Sequence, residues 1–367
     1  MKTNQKLLSL AILIAILGLA SCSNKDSESK LSKDEAKSQI NDFNSSAVND
    51  LQAISETDGL TALKQIASLT DTDDPFAGNA RAKGDKRKVK EVVRETSKKF
   101  RKLFVSSSAM GRTKGDEAFI FADHLGVYQW NAQEEIFTGP TESEIDAIQI
   151  FFPASEEATS NNAELRITKY SEVAFEDYFE PETLKASVFI DEVEVVSLDF
   201  DVEWSQDEFP VKADITFSVK PYSVTVHFDD TSTSESSFSA SLKKDQETII
   251  AASVTAKYTN NSKTEENLSK VEGFVQLKNL KVQGYVDVKE VDASESGDPN
   301  DFIHLALYSN NSKVGDIVFV SEEVDGDTEF VPYLQYNDGS KEKLEDVLKD
   351  VVDEIDELFN TDEEENS

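Results

Sequence analysis

The stretch "VSLDFDVEW", residues 196–204, alternates without a break. Val196, Leu198, Phe200, Val202 and Trp204 share one parity; Ser197, Asp199, Asp201 and Glu203 share the other. Successive side chains of an extended strand point to opposite faces, so this is a strand with one buried and one solvated face. Antiparallel sheets carry that two-sided character, whereas parallel strands covered on both faces read as continuous apolar runs.

The same period recurs on either side. It appears in "ADITFSV" (Ile215, Phe217, Val219), in "SVTVHF" (Val224, Val226, Phe228) and in "IIAASVTAKY" (Ile250, Ala252, Val254, Ala256, Tyr258). Polar turns such as "LKKDQE" (242–247), "YSNNSK" (308–313) and "YNDGSK" (336–341) separate these runs. Their spacing is irregular, which reads as a meander of hairpins and not as a solenoid repeat. Residues 116–340 are therefore expected to form an antiparallel β domain of about ten or more strands, a size at which sheets curl or split. The expected fold class is mainly β with flanking helices, an α+β arrangement. Its preferred form is a curled half-barrel capped by helices, and its alternative is a β-sandwich.

Helical periods flank this region. Between 32 and 54, Ala36, Ile40, Phe43, Ala47, Leu51 and Ile54 recur at three- and four-residue steps. "TDGLTALKQIASL" (57–69) offers a second helix through Leu60, Leu63, Ile66 and Leu69, and a breaker-rich loop follows. A third helix is expected over Asp85–Phe104, with Val89, Val93, Thr96, Phe100 and Leu103 on one face. Residues 32–115 thus read as a helical N-terminal region. Residues 341–360 read as a C-terminal amphipathic helix packing on the β domain, with a stripe of Leu344, Leu348, Val351, Ile355 and Leu358; 361–367 form an acidic tail.

The 367-residue chain carries a formal charge of -35 and is not disordered in composition, since apolar residues make up 38% of it. Such charge favours solubility and opposes association with nucleic acid and other polyanions. One segment runs against it: Arg81 to Lys102 holds eleven basic and three acidic residues. An amphipathic cationic helix suits an anionic membrane surface, but within so acidic a chain it is more naturally a partner of its own protein.

The N-terminus is an address. Lys2 and Lys6 precede an apolar run of fourteen residues, Leu7 to Ala20, ending in Leu19-Ala20-Ser21-Cys22. A membrane-spanning helix needs about 20 apolar residues, so the run suits a secretory signal peptide over 1–21. Cys22 is the only cysteine in the chain. The Leu19–Cys22 stretch resembles the lipobox of bacterial lipoproteins. That resemblance implies cleavage before Cys22, diacylglycerol on its thiol and fatty acylation (palmitate or similar) of the new amino terminus. Residues 22–31 would then be a polar tether, and "SNKDSES" is loosely similar to the surface-export stretch of Bacteroidota lipoproteins. Ser23, not Asp, follows the cysteine, so the resemblance carries no inner-membrane retention signal and points to the outer membrane of the cell envelope. The β layout is similar, in layout only, to half-barrel envelope lipoprotein carriers.

No catalytic signature stands out. G-x-S-x-G and the phosphate-cradling glycine motifs are absent, and the S-x-x-K matches at Ser27, Ser241 and Ser340 lack companion elements. His124, His227 and His304 are scattered, without metal-ligand spacing. The acid runs Asp71–Pro75 and Asp325–Glu329 lack the spacing of a calcium loop. No cofactor or metal is implied. Tyr128 and Trp130, sharing a parity in "GVYQWNAQEEIFTG" (126–139), are the candidate ligand wall, although such pairs more often belong to a core. The expectation is a non-enzymatic envelope lipoprotein, held to the membrane by its lipid anchor and binding an apolar or lipid-like ligand on the sheet. The alternatives are a structural or adhesive module for proteins or glycans and, behind it, an envelope hydrolase whose carboxylates meet only in the fold.

Overall fold

The computed structural model describes residues 30–41, 53–54, 56–72, 119–141, 144–176, 179–293, 297–324 and 327–349. Cys22, the expected helix Asp85–Phe104, residues 42–52 of the first expected helix and everything after Lys349 lie outside them.

In chain order, helices α1 (Lys33–Asn41) and α2 (Asp58–Thr72) precede the first strands, β1 (Gly126–Asn131), β2 (Ile136–Thr138) and β3 (Ile148–Phe152). Long strands follow: β4 (Ala163–Ala174), β5 (Phe179–Ile190), β6 (Val193–Trp204), β7 (Pro210–Val219) and β8 (Tyr222–Asp229). Next come β9 (Glu235–Lys244), β10 (Glu247–Tyr258), β11 (Leu268–Leu277), β12 (Leu280–Asp287) and helix α3 (Val288–Ala293). The chain continues through β13 (Ile303–Ser309), β14 (Ser312–Val324), β15 (Asp327–Tyr336), β16 (Lys341–Lys343) and helix α4 (Leu344–Val347).

The expected class holds: the protein is mainly β with a few helices, its sixteen strands assigned to one large mixed sheet. The chain divides into two compact units, Ala53–Val226 and Met1–Gln52 with His227–Ser367, and β8 spans the division. The strand order is β7-β6-β5-β4-β3-β1-β2 in the first unit and β16 back to β9 in the second, so nearly every neighbour is a hairpin partner. The exception corrects a purely antiparallel expectation. β1 pairs with β2 in a hairpin on one side and with β3 in parallel on the other, Gly126 opposite Ile148. The chain returns past β1 after β2, and a crossover of that kind is what parallel pairing needs.

In Ala53–Val226, Val196, Phe200 and Val202 of β6 are buried while Asp199, Asp201 and Glu203 are exposed, as the alternation requires. Helix α2 covers the apolar face. Thr57 caps it by accepting from the Leu60 N–H at 3.3 Å. Its buried stripe is Gly59, Ala62, Ile66 and Leu69, with Leu60 and Leu63 only half-buried. The stripe is thus offset from the larger leucines. A Cβ on Gly59 would meet Val196 Cγ2 at 2.8 Å and the Val195 carbonyl oxygen at 2.9 Å, so the start of the helix touches β6 through its smallest residues.

In the other unit, α1 opens on a reciprocal Ser32–Glu35 box: the Ser32 N–H donates to Glu35 at 3.0 Å and the Glu35 N–H to Ser32 Oγ at 3.5 Å. Ala36 and Ile40 pack on Leu280, Val282, Leu305, Leu307, Ile317 and Leu334, and Leu344 and Val347 lie against the same cluster. The C-terminal helix does not begin at 341. Lys341–Lys343 form a strand opposite Gln335–Tyr333, since the "YNDGSK" turn, with Gly339 at φ +84°, returns the chain along β15 first.

Candidate functional site, an apolar cleft beneath helix α2

The register across four strands builds the floor. Ile167 on β4 faces Ala186 on β5, which faces Leu198 on β6, which faces Phe217 on β7. The adjoining row is Leu165, Val188 and Val196. All share one face because residues directly opposite in a ladder point the same way. Val188 and Val196 are buried, but Leu165, Ile167, Ala186, Leu198 and Phe217 are only half-buried. The second half of α2 forms the roof with Leu63, Ile66, Ala67 and Thr70. Between them lies a cleft of about 290 Å³. Ala186, the small residue in the first row, deepens it between Ile167 and Leu198.

Among the described residues that line it, the cleft has no titratable side chain, and its two hydroxyls, Thr70 and Ser187, are already engaged: Thr70 donates to the Ile66 carbonyl at 3.0 Å, and Ser187 to Glu194 at 3.2 Å. Charge stays on the other face of these strands, where Lys185 pairs with Asp199 at 2.7 Å and Lys212 lies 3.6 Å from Glu203. Lined in this way, the cleft offers desolvation of an apolar group. Its volume is at the low end of ligand pockets, roughly 300–1,000 Å³.

Tyr128 and Trp130 sit elsewhere. Both are buried in the core cluster of the same unit, Tyr128 at 3% exposure and Trp130 at 9%. The Tyr128 hydroxyl donates to the His124 carbonyl at 3.0 Å, burial raises its pKa, and Trp130 meets the Phe137 ring edge-on at 5.0 Å. Neither lines the cleft. Of the residues that do, Leu63 and Ile66 were read in a helix stripe and Val196, Leu198 and Phe217 as strand apolars, while Leu165, Ile167, Ala186 and Val188 were not singled out. The signal available in advance was the run of one-sided strands with few helices to cover them.

The histidines do not converge: His124 stacks on Phe119 at 4.5 Å, His227 is half-buried on β8, and His304 lies on β13 against Tyr285. Among the described residues, no cluster of three or more histidine, cysteine or carboxylate side chains could hold a metal. No helix among them is long and apolar enough to cross a membrane. Comparison with protein-family models, with curated proteins and with solved structures found no match for this chain.

Proposed function

We propose that this is a lipid-anchored protein of the bacterial cell envelope, tethered through Cys22 and more naturally at the outer membrane, whose non-enzymatic role is to hold an apolar or lipid-like ligand. The observation that carries the reading is the cleft of about 290 Å³ under α2, lined by apolar side chains and two engaged hydroxyls. With no counter-charge inside, an amphiphile would place its alkyl segment on the Ile167–Phe217 row and leave its headgroup in water.

Affinity should then follow chain length. Each methylene removed from water contributes about 0.8 kcal/mol, or about fourfold in Kd, until the cleft is full. Calorimetric titration of the whole protein with straight-chain alcohols of increasing length should show that slope and then a plateau. Ala186→Phe, which fills the middle of the row, should abolish it. A Kd independent of chain length, or unchanged in Ala186→Phe, would sink the ligand reading. The anchor is tested separately: Cys22→Ser should prevent lipid labelling and release the protein from membranes, and unchanged retention would refute the lipobox assignment.

A further inference from the structure

The face of the second unit opposite its apolar core carries a different kind of site. On β12, β13 and β14 the ladder sets Gln283 opposite Ala306 and Ala306 opposite Asp316. One flanking row holds Tyr285 opposite His304, and the other holds Tyr308 opposite Lys313. A small residue between two rows of large ones leaves a trough, and a groove of about 350 Å³ runs there with Ala306 as its floor.

Its walls are fixed in advance. The Tyr285 ring lies between the Lys270 ammonium, 4.1 Å from the ring centre, and the His304 ring at 4.6 Å. Lys270 is pinned at 2.8 Å by Glu272, which is 4% exposed and also bonds Lys257. At one end Asn300 clamps the backbone of Phe319, donating to its carbonyl at 2.7 Å and accepting from its N–H at 2.8 Å. By contrast the Gln283 amide and the Tyr285 hydroxyl make no hydrogen bond among the described residues. A rigid aromatic wall beside free planar donors and acceptors is an arrangement prepared for a ligand.

Charge and topology narrow the ligand. Lys313 and Asp316 pair at 2.7 Å, so the groove's own charges cancel, and the chain as a whole repels anions. Phosphorylated or nucleotide ligands are disfavoured. The three strands are interior, each paired on both sides, so no backbone edge is free for an extended peptide to join. A pyranose ring fits what remains: it settles over Ala306 between the Tyr285 and Tyr308 side chains, and its hydroxyls pair with the Gln283 amide, the Tyr285 hydroxyl and the Asp316 carboxylate. We propose that this groove binds a neutral glycan, independently of the apolar cleft in the other unit.

The test is saturation-transfer NMR on the whole protein with neutral oligosaccharides of β1,4-glucose, β1,4-N-acetylglucosamine and α-mannose, plus a neutral peptide as comparison. At least one oligosaccharide should receive saturation on its ring protons, while the peptide should not. Gln283→Ala and Tyr285→Phe are surface changes that keep the sheet, and each should weaken binding by about tenfold. Ala306→Leu should abolish binding by filling the floor, with circular dichroism confirming the fold. Absence of transfer to every oligosaccharide, affinity unchanged in Gln283→Ala and Tyr285→Phe, or transfer to the peptide in their place would each overturn the proposal.

Discussion

Glu180 on β5 sets up a measurable conflict. It is 1% exposed, and among the described residues neither of its carboxylate oxygens has a hydrogen-bond partner. Burial pushes its pKa above the ordinary 4.5. A folded-state value raised in this way means that the native protein holds the proton more tightly than the unfolded chain. The group's contribution is therefore present below pH 4.5 and is lost as pH rises through its folded value. Glu180→Met keeps the volume and removes both polar atoms. At pH 4.5 or below, the variant should gain about 1–3 kcal/mol, the usual cost of a buried polar group left unsatisfied. Above that, its advantage should grow by up to about 1.4 kcal/mol per pH unit until the native carboxyl ionises. Glu180→Gln should remove the pH dependence but keep most of the polar cost. The chain supplies its own probe, since its two tryptophans, Trp130 and Trp204, both lie in the unit that contains Glu180. Trp204 donates to the carbonyl of Pro181, the next residue, at 3.0 Å. Urea unfolding followed by tryptophan fluorescence from pH 4 to about pH 8 compares the proteins while common charge effects cancel in the difference. A stability difference flat across that range, or a Met variant weaker than the parent at pH 7, would refute the reasoning and place a partner on Glu180.

Two further outcomes follow from the packing. Gly59→Ala should gain nothing from better helix propensity, about 1 kcal/mol elsewhere, because the new methyl meets Val196 and the Val195 carbonyl below 3.0 Å; fluorescence-monitored unfolding should show a net loss of about 1–3 kcal/mol, and a gain would contradict the close approach. Glu272→Gln should destabilise the other unit by about 1–2 kcal/mol, since it takes the shared carboxylate from Lys257 and Lys270, whose ammonium ends stay partly solvated. Burial raises the Glu272 pKa, but the two lysine bonds outweigh it and hold the value below 4.5. Its stabilisation is present above pH 4.5 and lost as pH falls through the lowered value, so slowed hydrogen exchange on β10 and β11 should fade on acidification in the parent and not in the variant.

Much of the fold was legible because strand parity is a short-range property. Residues 196–204 show which face of β6 is buried without reference to any other strand. Parity fails where the backbone inserts a residue. On β10 the alternating set was Ile250, Ala252, Val254, Ala256 and Tyr258, yet the most buried residues are Ile249 and Ala251, beside a register shift between Thr248 and Ile250. A second shift, between Ser171 and Glu172, sets Glu180 opposite Val173, and nothing in "YFEPETLKA" (178–186) marks that carboxylate for burial. The strand at Lys341–Lys343 was readable in principle: a tight turn after β15 asks for a returning partner, while the helical stripe starts only at Leu344. Neither site was legible as a site. The cleft and the groove both depend on which small residue, Ala186 or Ala306, falls between larger ones on neighbouring strands, and those strands are set side by side by register.

The cleft also follows from a mismatch of widths. An α-helix with its side chains is about 10–12 Å across, while four strands at about 4.8 Å spacing place their outer members about 14 Å apart. One fifteen-residue helix, α2, is the helix seated on β4 to β7 in the described part of that unit. Seated tightly on β6 through Gly59 and Ala62, it cannot also cover Leu165 and Ile167 at one side and Phe217 at the other. A wider contact through Leu60 and Leu63 would have shielded the floor more evenly, at the cost of lifting the helix off the Val196 side chain. The small-residue stripe therefore fixes both the tight end of the helix and the apolar opening beside it. Enlarging Ala62, which is fully buried, should loosen the helix and change alkyl binding together, whereas Ala186→Phe should block binding and leave the helix in place.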